Sequence, residues 1–263
     1  MIDLTGHLAL VTGSSRGIGR ACALRLAQAG ADVVINYISR REAAEDVAGR
    51  ITAIGRRSAV IKADVSEPDD IAALAQYVEA TFGQLDILVS NVATGGFRPL
   101  LATTRQQFTS ALYTNVEALL NLLSVFVPLL KGAANRSGGH SSRRAKVIAI
   151  SSLGSRFALP QYGLVGLSKA ALESLVRQAA LELGNEHINF NTLISGLVET
   201  DATRDVPNRD DIFARRDARS LCGDRKLTVE DVADVVLFLA SPLADMIQGQ
   251  VIVVDAGLSI ALG

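Results

Sequence analysis

Cysteine is scarce in this chain. Cys22 and Cys222 are the only two among 263 residues; they lie far apart and neither has a metal-ligand neighbour. That argues against a disulfide framework or a thiolate metal site, and for two reduced thiols in a cytoplasmic protein. Excess charge is missing too. The 26 Lys and Arg against 27 Asp and Glu leave a net charge of −1, so no global field draws the chain to nucleic acid or to an anionic membrane. No apolar run is expected to reach the ~18 residues of a membrane helix. No secretory signal is expected either, because the first buried strand begins near His7. Linkers and repeats are likewise lacking, which points to one domain over residues 1–263 rather than two small ones.

What is abundant is apolar surface. The hydrophobic fraction of 49% is enough for a large core and excludes a disordered chain. Its apolar runs alternate with helix-length segments. Strands are expected at His7–Thr12, Asp32–Asn36, Ser58–Lys62, Leu85–Val89, Lys146–Ile150, Phe190–Ile194 and Gln250–Val254. Helices fall between them: one to Ala29, one over Glu42–Ile54, one capped by Ser66 with Glu67 and Pro68 in its first turn, one from near Thr104, and one ending at Leu183. Continuous rather than alternating apolar strands indicate a parallel sheet covered on both faces. The expected fold is therefore α/β, a doubly wound Rossmann domain with seven parallel strands in the order 3-2-1-4-5-6-7.

Two segments break the rhythm. Residues Lys131 to Lys146 are basic and rich in Gly and Ser, and read as a solvated connection rather than a docking site. Residues Asp201 to Lys226 are polar and rich in arginine, and follow the sixth strand at the sheet end where ligands bind, so a mobile lid is expected at about 200–226.

Between the first strand and first helix stands Val11-Thr-Gly-Ser-Ser-Arg-Gly-Ile-Gly19. Gly13, Gly17 and Gly19 permit a tight turn and close approach of backbone to a pyrophosphate, whose charge the free amides of Ser14, Ser15, Arg16, Ile18 and their neighbours would meet at the helix N-terminus. Nucleotide sites of this type hold NAD through an acidic residue at the end of the second strand. Here that place is given to Asn36, which cannot repel a 2′-phosphate, while Arg16, Arg40 and Arg41 stand ready to pair with one. The expected cofactor is NADPH.

The stretch Ser151–Lys169 carries the candidate chemistry. Tyr162 and Lys169 are seven residues apart. At ~100° per residue they share a helix face, with a rise of ~10.5 Å between them. A lysine beside a tyrosine favours the phenolate, so the pair is expected to work as a proton donor near neutral pH. An ordinary amphipathic pair is the alternative reading of this segment taken alone.

Together these motifs resemble the short-chain dehydrogenase/reductase family over nearly the whole chain. Thr12–Gly19 is similar to its cofactor turn, Asp64-Val65 to its adenine-contacting pair, and Ser90-Asn-Val-Ala93 to its Asn-Asn-Ala-Gly element, with Ser90 and Ala93 as departures. Asn115 matches the asparagine that holds a water and helps relay protons to the lysine. Ile194-Ser-Gly-Leu-Val-Glu-Thr200 resembles the segment contacting the nicotinamide, with Ser195 where a proline is usual. The resemblance thus implies cofactor contacts from Asp64, Val65, Asn91, Ala93, Ile150, Gly196, Val198 and Thr200, besides Tyr162 and Lys169.

One departure bears on the reaction. Most of the family has Tyr-x-x-x-Lys, but Val165 stands four before Lys169. The Tyr-x6-Lys spacing resembles the enoyl-acyl-carrier-protein reductases, and most closely their NADPH-dependent type III branch, through Ser151–Ser155, Val165–Glu173 and Ala244–Gln250. In an enoyl thioester the charge develops on an oxygen about 2.5 Å further along than in a ketone. A donor three residues earlier is shifted ~4.5 Å along the helix axis. The expected reaction is reduction of the 2,3 double bond, with Tyr162 stabilising the enolate, Lys169 holding the ribose and lowering the tyrosine pKa, and Ser152 orienting substrate.

The alternatives left open are a 3-oxoacyl or other carbonyl reductase using Ser152 and Tyr162, the same chemistry in polyketide assembly, and a non-catalytic NADPH-binding regulator. Expected partners are an acyl thioester, on an acidic acyl carrier protein that Arg204, Arg209, Arg215, Arg216 and Arg219 could dock. Those arginines could equally pair with Asp201, Asp205, Asp210, Asp211 and Asp217. The apolar helix patterns around Leu112–Leu130 and Ala170–Leu183 suggest a helix-mediated oligomer, and the resemblance implies a homotetramer.

Overall fold

The computed structural model describes residues 1–135, 144–204 and 206–261. Seven parallel strands form one sheet in the order β3-β2-β1-β4-β5-β6-β7. They are β1 (Leu8–Val11), β2 (Asp32–Tyr37), β3 (Ser58–Lys62), β4 (Ile87–Ser90), β5 (Ala145–Ser152), β6 (Ile188–Ser195) and β7 (Val251–Val254). Every residue of β1 and β6 is buried; β1 is an unbroken apolar run, as a strand covered on both faces favours, while β6 also buries Asn189, Asn191, Thr192 and Ser195.

Helices cover both faces. On one side α1 (Gly17–Gln28), α2 (Arg41–Ala53) and α8 (Val229–Ala240) bury Leu26, Val47, Val236 and Leu239 against Val11, Ile35 and Leu193. On the other, α3 (Pro68–Phe82), α5 (Ala118–Asn135) and α6 (Gly163–Leu183) bury Leu74, Leu122, Phe126 and Val176 against Leu10, Leu88 and Phe190. The chain reverses its direction of travel through the sheet between β1 and β4. The crevice outside their carboxyl ends is the nucleotide position of such sheets, and there Thr12 N donates to the Val89 carbonyl (3.0 Å).

Three expectations need correction here. Ser66 does not cap α3: its Oγ donates instead to Asp64 Oδ1 (2.7 Å), so Glu67 takes the N-cap place and Pro68 opens the helix. The basic connection is shorter than composition suggested. Lys131–Asn135 still belong to α5 and Ala145-Lys146 already to β5; residues 136–143 of that expected loop lie outside the described residues. Finally, one helical run, Arg105–Ala133, is by length and composition apolar enough to cross a membrane. It reaches that length because a π-helical turn, Tyr113–Glu117, joins α4 (Arg105–Leu112) to α5 without a break. Its inward side, Leu119, Leu122, Phe126 and Leu130, lies in the core beneath the sheet.

Candidate active site and nucleotide cradle

Glycine makes the cradle possible. Gly13 and Gly17 have φ of 62° and 54°, which side chains with a Cβ adopt at a cost. A Cβ on Gly19 would stand 2.6 Å from both the Gly13 carbonyl oxygen and Asn91 Nδ2. The turn is braced from beneath. Ser14 Oγ donates to the Val11 carbonyl (2.7 Å), and Asn91 binds Thr12 through its backbone N (2.9 Å to Oγ1) and its amide (3.0 Å to the carbonyl). Arg16 at the N-cap of α1 makes no side-chain cap, so the first amides of this helix are offered outward, as an anion site requires. These residues fit a dinucleotide pyrophosphate.

The second strand ends one residue later than expected, at Tyr37. Asn36 is 1% exposed. Its Oδ1 accepts from Gly13 N (3.1 Å) and its Nδ2 donates to the Ala63 carbonyl (2.9 Å). It therefore ties three strand ends together from inside, with both amide atoms engaged. Of the three arginines expected near it, Arg16 and Arg40 converge, each 3.2 Å from Asp201 Oδ2. Arg41 turns away to Glu45 (2.7 Å) along α2. Asp64 is engaged by Ser66, and Val65 is buried.

The reaction centre is built on β5 and the start of α6. Lys169 is 4% exposed, and its ammonium donates to the Ile150 carbonyl (2.8 Å). Burial pulls its pKa down to about 8. Tyr162 is not within the helix: α6 begins at Gly163, and Tyr162 is its N-cap with φ −107° and ψ 7°. Gln161 before it adopts a left-handed backbone, φ 59°, which ends any regular periodicity. The phenol instead leans back over Gly154, and its hydroxyl donates to Ser152 Oγ (3.2 Å). Burial raises its pKa and the Ser152 bond only partly opposes that. The expectation that Lys169 depresses the tyrosine is thus not met, because desolvation of the phenolate dominates. A neutral phenol stands ready to donate.

The loop after β4 completes the centre, and sequence reasoning had passed over most of it. Phe97 packs on the Tyr162 ring with centroids 5.5 Å apart, and Arg98 N donates to the Gln161 carbonyl (2.8 Å). Val165 is 6% exposed, and a Cβ on Gly95 would stand 2.4 Å from its Cγ2. The loop backbone therefore closes over Val165, four before Lys169, where the family resemblance places a tyrosine. The glycine pair beside an aromatic, Gly95-Gly96-Phe97, was the signal available. Asn115, in the π-helical turn, accepts from Thr94 N (2.7 Å) and donates to the Thr94 carbonyl and to Ser168 Oγ (both 2.8 Å). It clamps this loop to α6. Ser151 Oγ, one residue before Ser152, donates to buried Glu173 (2.7 Å).

Beyond β6, a Cβ on Gly196 would stand 2.8 Å from the Asp255 backbone, so glycine is required there. Val198 is buried, and Thr200 forms a reciprocal cap with Thr203 over a short turn, Asp201–Thr203. Next comes α7 (Arg209–Ala218). Arg216, expected as a docking residue, is 5% exposed and donates to the Leu197 carbonyl (2.7 Å), so it is structural. Arg204 pairs with Asp201 and Arg209 with Glu199. Arg215 and Arg219 are exposed. Asp205 lies outside the described residues.

A glycine turn opening a doubly wound sheet, with a buried lysine and a phenol beside the end of β5, defines a dinucleotide-dependent class of oxidoreductase. Residues 13–259 match the family model described as "Enoyl-(Acyl carrier protein) reductase". The chain belongs to the short-chain dehydrogenase/reductase family of oxidoreductases. It is 33% identical to the hydroxynaphthalene reductase-like protein Arp2 of Metarhizium robertsii over 97% of this chain and 96% of that one. It is also 33% identical to 1-cyclohexenylcarbonyl-CoA reductase of Streptomyces collinus, over 97% and 87% of the two chains. Among solved structures, RhlG of Pseudomonas aeruginosa, in an NADP active-site complex, superposes with a TM-score of 0.86 at 32% identity, covering 98% of each chain. A gluconate 5-dehydrogenase of Burkholderia cenocepacia, bound to NADP and tartrate, gives 0.87 at 29%, covering 99% of this chain and 98% of that one.

Proposed function

We propose that the protein reduces the 2,3 double bond of an enoyl thioester with NADPH. The observation that carries this reading is the pairing of Val165, closed over by Gly95, with Tyr162 displaced to the N-cap of α6. The position that serves ketones in most of the family is thereby filled with apolar atoms. The similarity to a reductase named for an unsaturated acyl-CoA agrees with it. NADPH rather than NADH is supported by the convergence of Arg16 and Arg40, and by neighbours solved with NADP.

When bound, NADPH supplies the hydride that adds to the β-carbon. The glycine turn and the amides of α1 would hold its pyrophosphate, and Arg16 with Arg40 would hold its 2′-phosphate. Tyr162 donates to the thioester oxygen as negative charge grows there, a contribution of ~3 kcal/mol for one well-placed donor. Ser152 fixes the phenol's direction. Lys169, an ammonium at neutral pH, would hold the ribose hydroxyls. Asn115 acts through the Thr94 loop, setting the wall against which Tyr162 and Phe97 pack.

Acyl carriage on an acidic carrier protein suits exposed Arg215 and Arg219, and the exposed Phe108, Tyr113 and Leu120 on the long helix suit assembly with further copies. The turn and helix after Thr200 suit a role as a lid over the acyl chain. A second reading, reduction of a ketone, is favoured by the Ser152–Tyr162 hydrogen bond and by the similarity to proteins named hydroxynaphthalene reductases.

The test is Tyr162→Phe, assayed on a 2-enoyl thioester. Turnover is expected to fall by on the order of 10²-fold with NADPH affinity nearly unchanged. Wild-type turnover would remove Tyr162 from the mechanism.

A further inference from the structure

Asp201 stands directly after Thr200, and its carboxylate gathers three guanidinium groups from separate parts of the fold. Arg16 Nη1 and Arg40 Nη1 each lie 3.2 Å from Oδ2, and Arg204 Nη2 lies 2.6 Å from Oδ1. Arg16 is the N-cap of α1 and Arg40 the N-cap of α2. Among the described residues neither of these two has another ion pair. Two guanidinium groups brought this close repel unless an anion lies between them. Here the anion between them is the carboxylate of the chain's own Asp201. The same segment also lies against the cradle: a Cβ on Gly17 would meet Thr200 Cγ2 at 3.4 Å. The Asp201 carboxyl is held below its usual pKa, first by the Arg16 hydrogen bond, so it is ionised wherever the enzyme would work.

We propose that Asp201 is an internal competitor for the nucleotide 2′-phosphate: it occupies the Arg16–Arg40 anion site until that phosphate displaces it, so it tunes affinity for NADP(H) and leaves NAD(H) unaffected. This rests on the NADPH reading above. A phosphate monoester brings close to two negative charges and three acceptor oxygens, against one charge and two oxygens for the carboxylate, so it wins the two forks. A ribose that ends in a 2′-hydroxyl carries no charge and leaves Asp201 in place. Displacement also frees the Thr200–Arg204 turn from α1 and α2, which couples the phosphate to the segment leading into α7. Asp201 is in this sense a specificity-determining residue that works by opposing its own ligand.

The experiment measures dissociation constants of NADPH, NADH and adenosine 2′,5′-bisphosphate by calorimetry, for the wild type, Asp201→Asn and Asp201→Ala, together with amide exchange across residues 200–204. Removing a competitor held by solvent-accessible ion pairs should tighten NADPH and the bisphosphate by about threefold or more, with NADH changed by less than about twofold. Exchange at 200–204 in either nucleotide-free variant should rise to that of the NADPH-bound wild type. Weaker or unchanged binding of NADPH in both variants overturns the proposal, as does an equal gain for NADH. A wild type that binds NADH as tightly as NADPH overturns the cofactor reading itself, and is told apart because it appears before any substitution is made.

Discussion

Substituting Gly154 with alanine probes how tightly the phenol is aimed. A methyl group there would lie 2.4 Å from Cδ1 and 2.6 Å from Cε1 of Tyr162, whereas ordinary contact begins near 3.4 Å. The ring must therefore retreat by about 1 Å, and Phe97, stacked at 5.5 Å, limits where it can go. Retreat takes the hydroxyl away from Ser152 and from the oxygen it serves. A misplacement of that size costs on the order of 10²-fold in turnover, or ~2.7 kcal/mol of barrier. Overpacking should also cost ~1–3 kcal/mol of stability. Steady-state kinetics on a 2-enoyl thioester, NADPH calorimetry and a urea melt read these effects separately. The expected result is a fall in kcat, an NADPH affinity within about twofold of wild type, and no further loss when Gly154→Ala is added to Tyr162→Phe. A wild-type kcat in Gly154→Ala, or an additive loss in the double variant, would refute the reasoning that the turn acts through the phenol.

Two further outcomes follow from Lys169. With its pKa pulled down to about 8 by burial and that of Tyr162 raised, kcat/KM should decline on the alkaline side near pH 8 as the ammonium is lost, and this limb should move upward in Lys169→Arg. An unshifted limb would assign it to another group. Because the folded protein binds this proton less tightly than the unfolded chain, whose lysine keeps the ordinary 10.5, stability should rise between about pH 8 and pH 10.5. The check is the pH dependence of the urea midpoint, compared with Lys169→Met, in which that rise should be smaller.

Much of the architecture could be read from the sequence. The sheet order followed from the alternation of apolar runs with helical segments, Ser58–Lys62 matches β3 end to end, and Leu183 closes α6 as expected. Thr104 caps α4 with Gln107, a local signal. The site was legible where chemistry is local, as in the glycine turn. It was not where a partner comes from far along the chain. Nothing near Asn36 announces that its amide is spent on Gly13 and Ala63, and nothing near Asn115 announces Thr94 and Ser168. Periodicity placed Tyr162 on a helix because it cannot register the left-handed Gln161 that sets the tyrosine outside. Proximity to Lys169 suggested a lowered phenol pKa, but proximity in sequence does not convey burial. The arginines after Thr200 could be read as docking or as pairing residues, and only the fold shows that Arg216 is buried and that Arg204 and Arg209 are paired.

The central claim is that the place of Tyr162 relative to Val165 selects a carbon–carbon over a carbon–oxygen double bond. The most direct measurement is NADPH oxidation by the wild type with crotonyl and acetoacetyl thioesters of the same carrier, side by side. The claim predicts a kcat/KM for the crotonyl thioester at least ~10-fold above that for the acetoacetyl thioester. The reverse preference would contradict it and leave ketone reduction as the reaction.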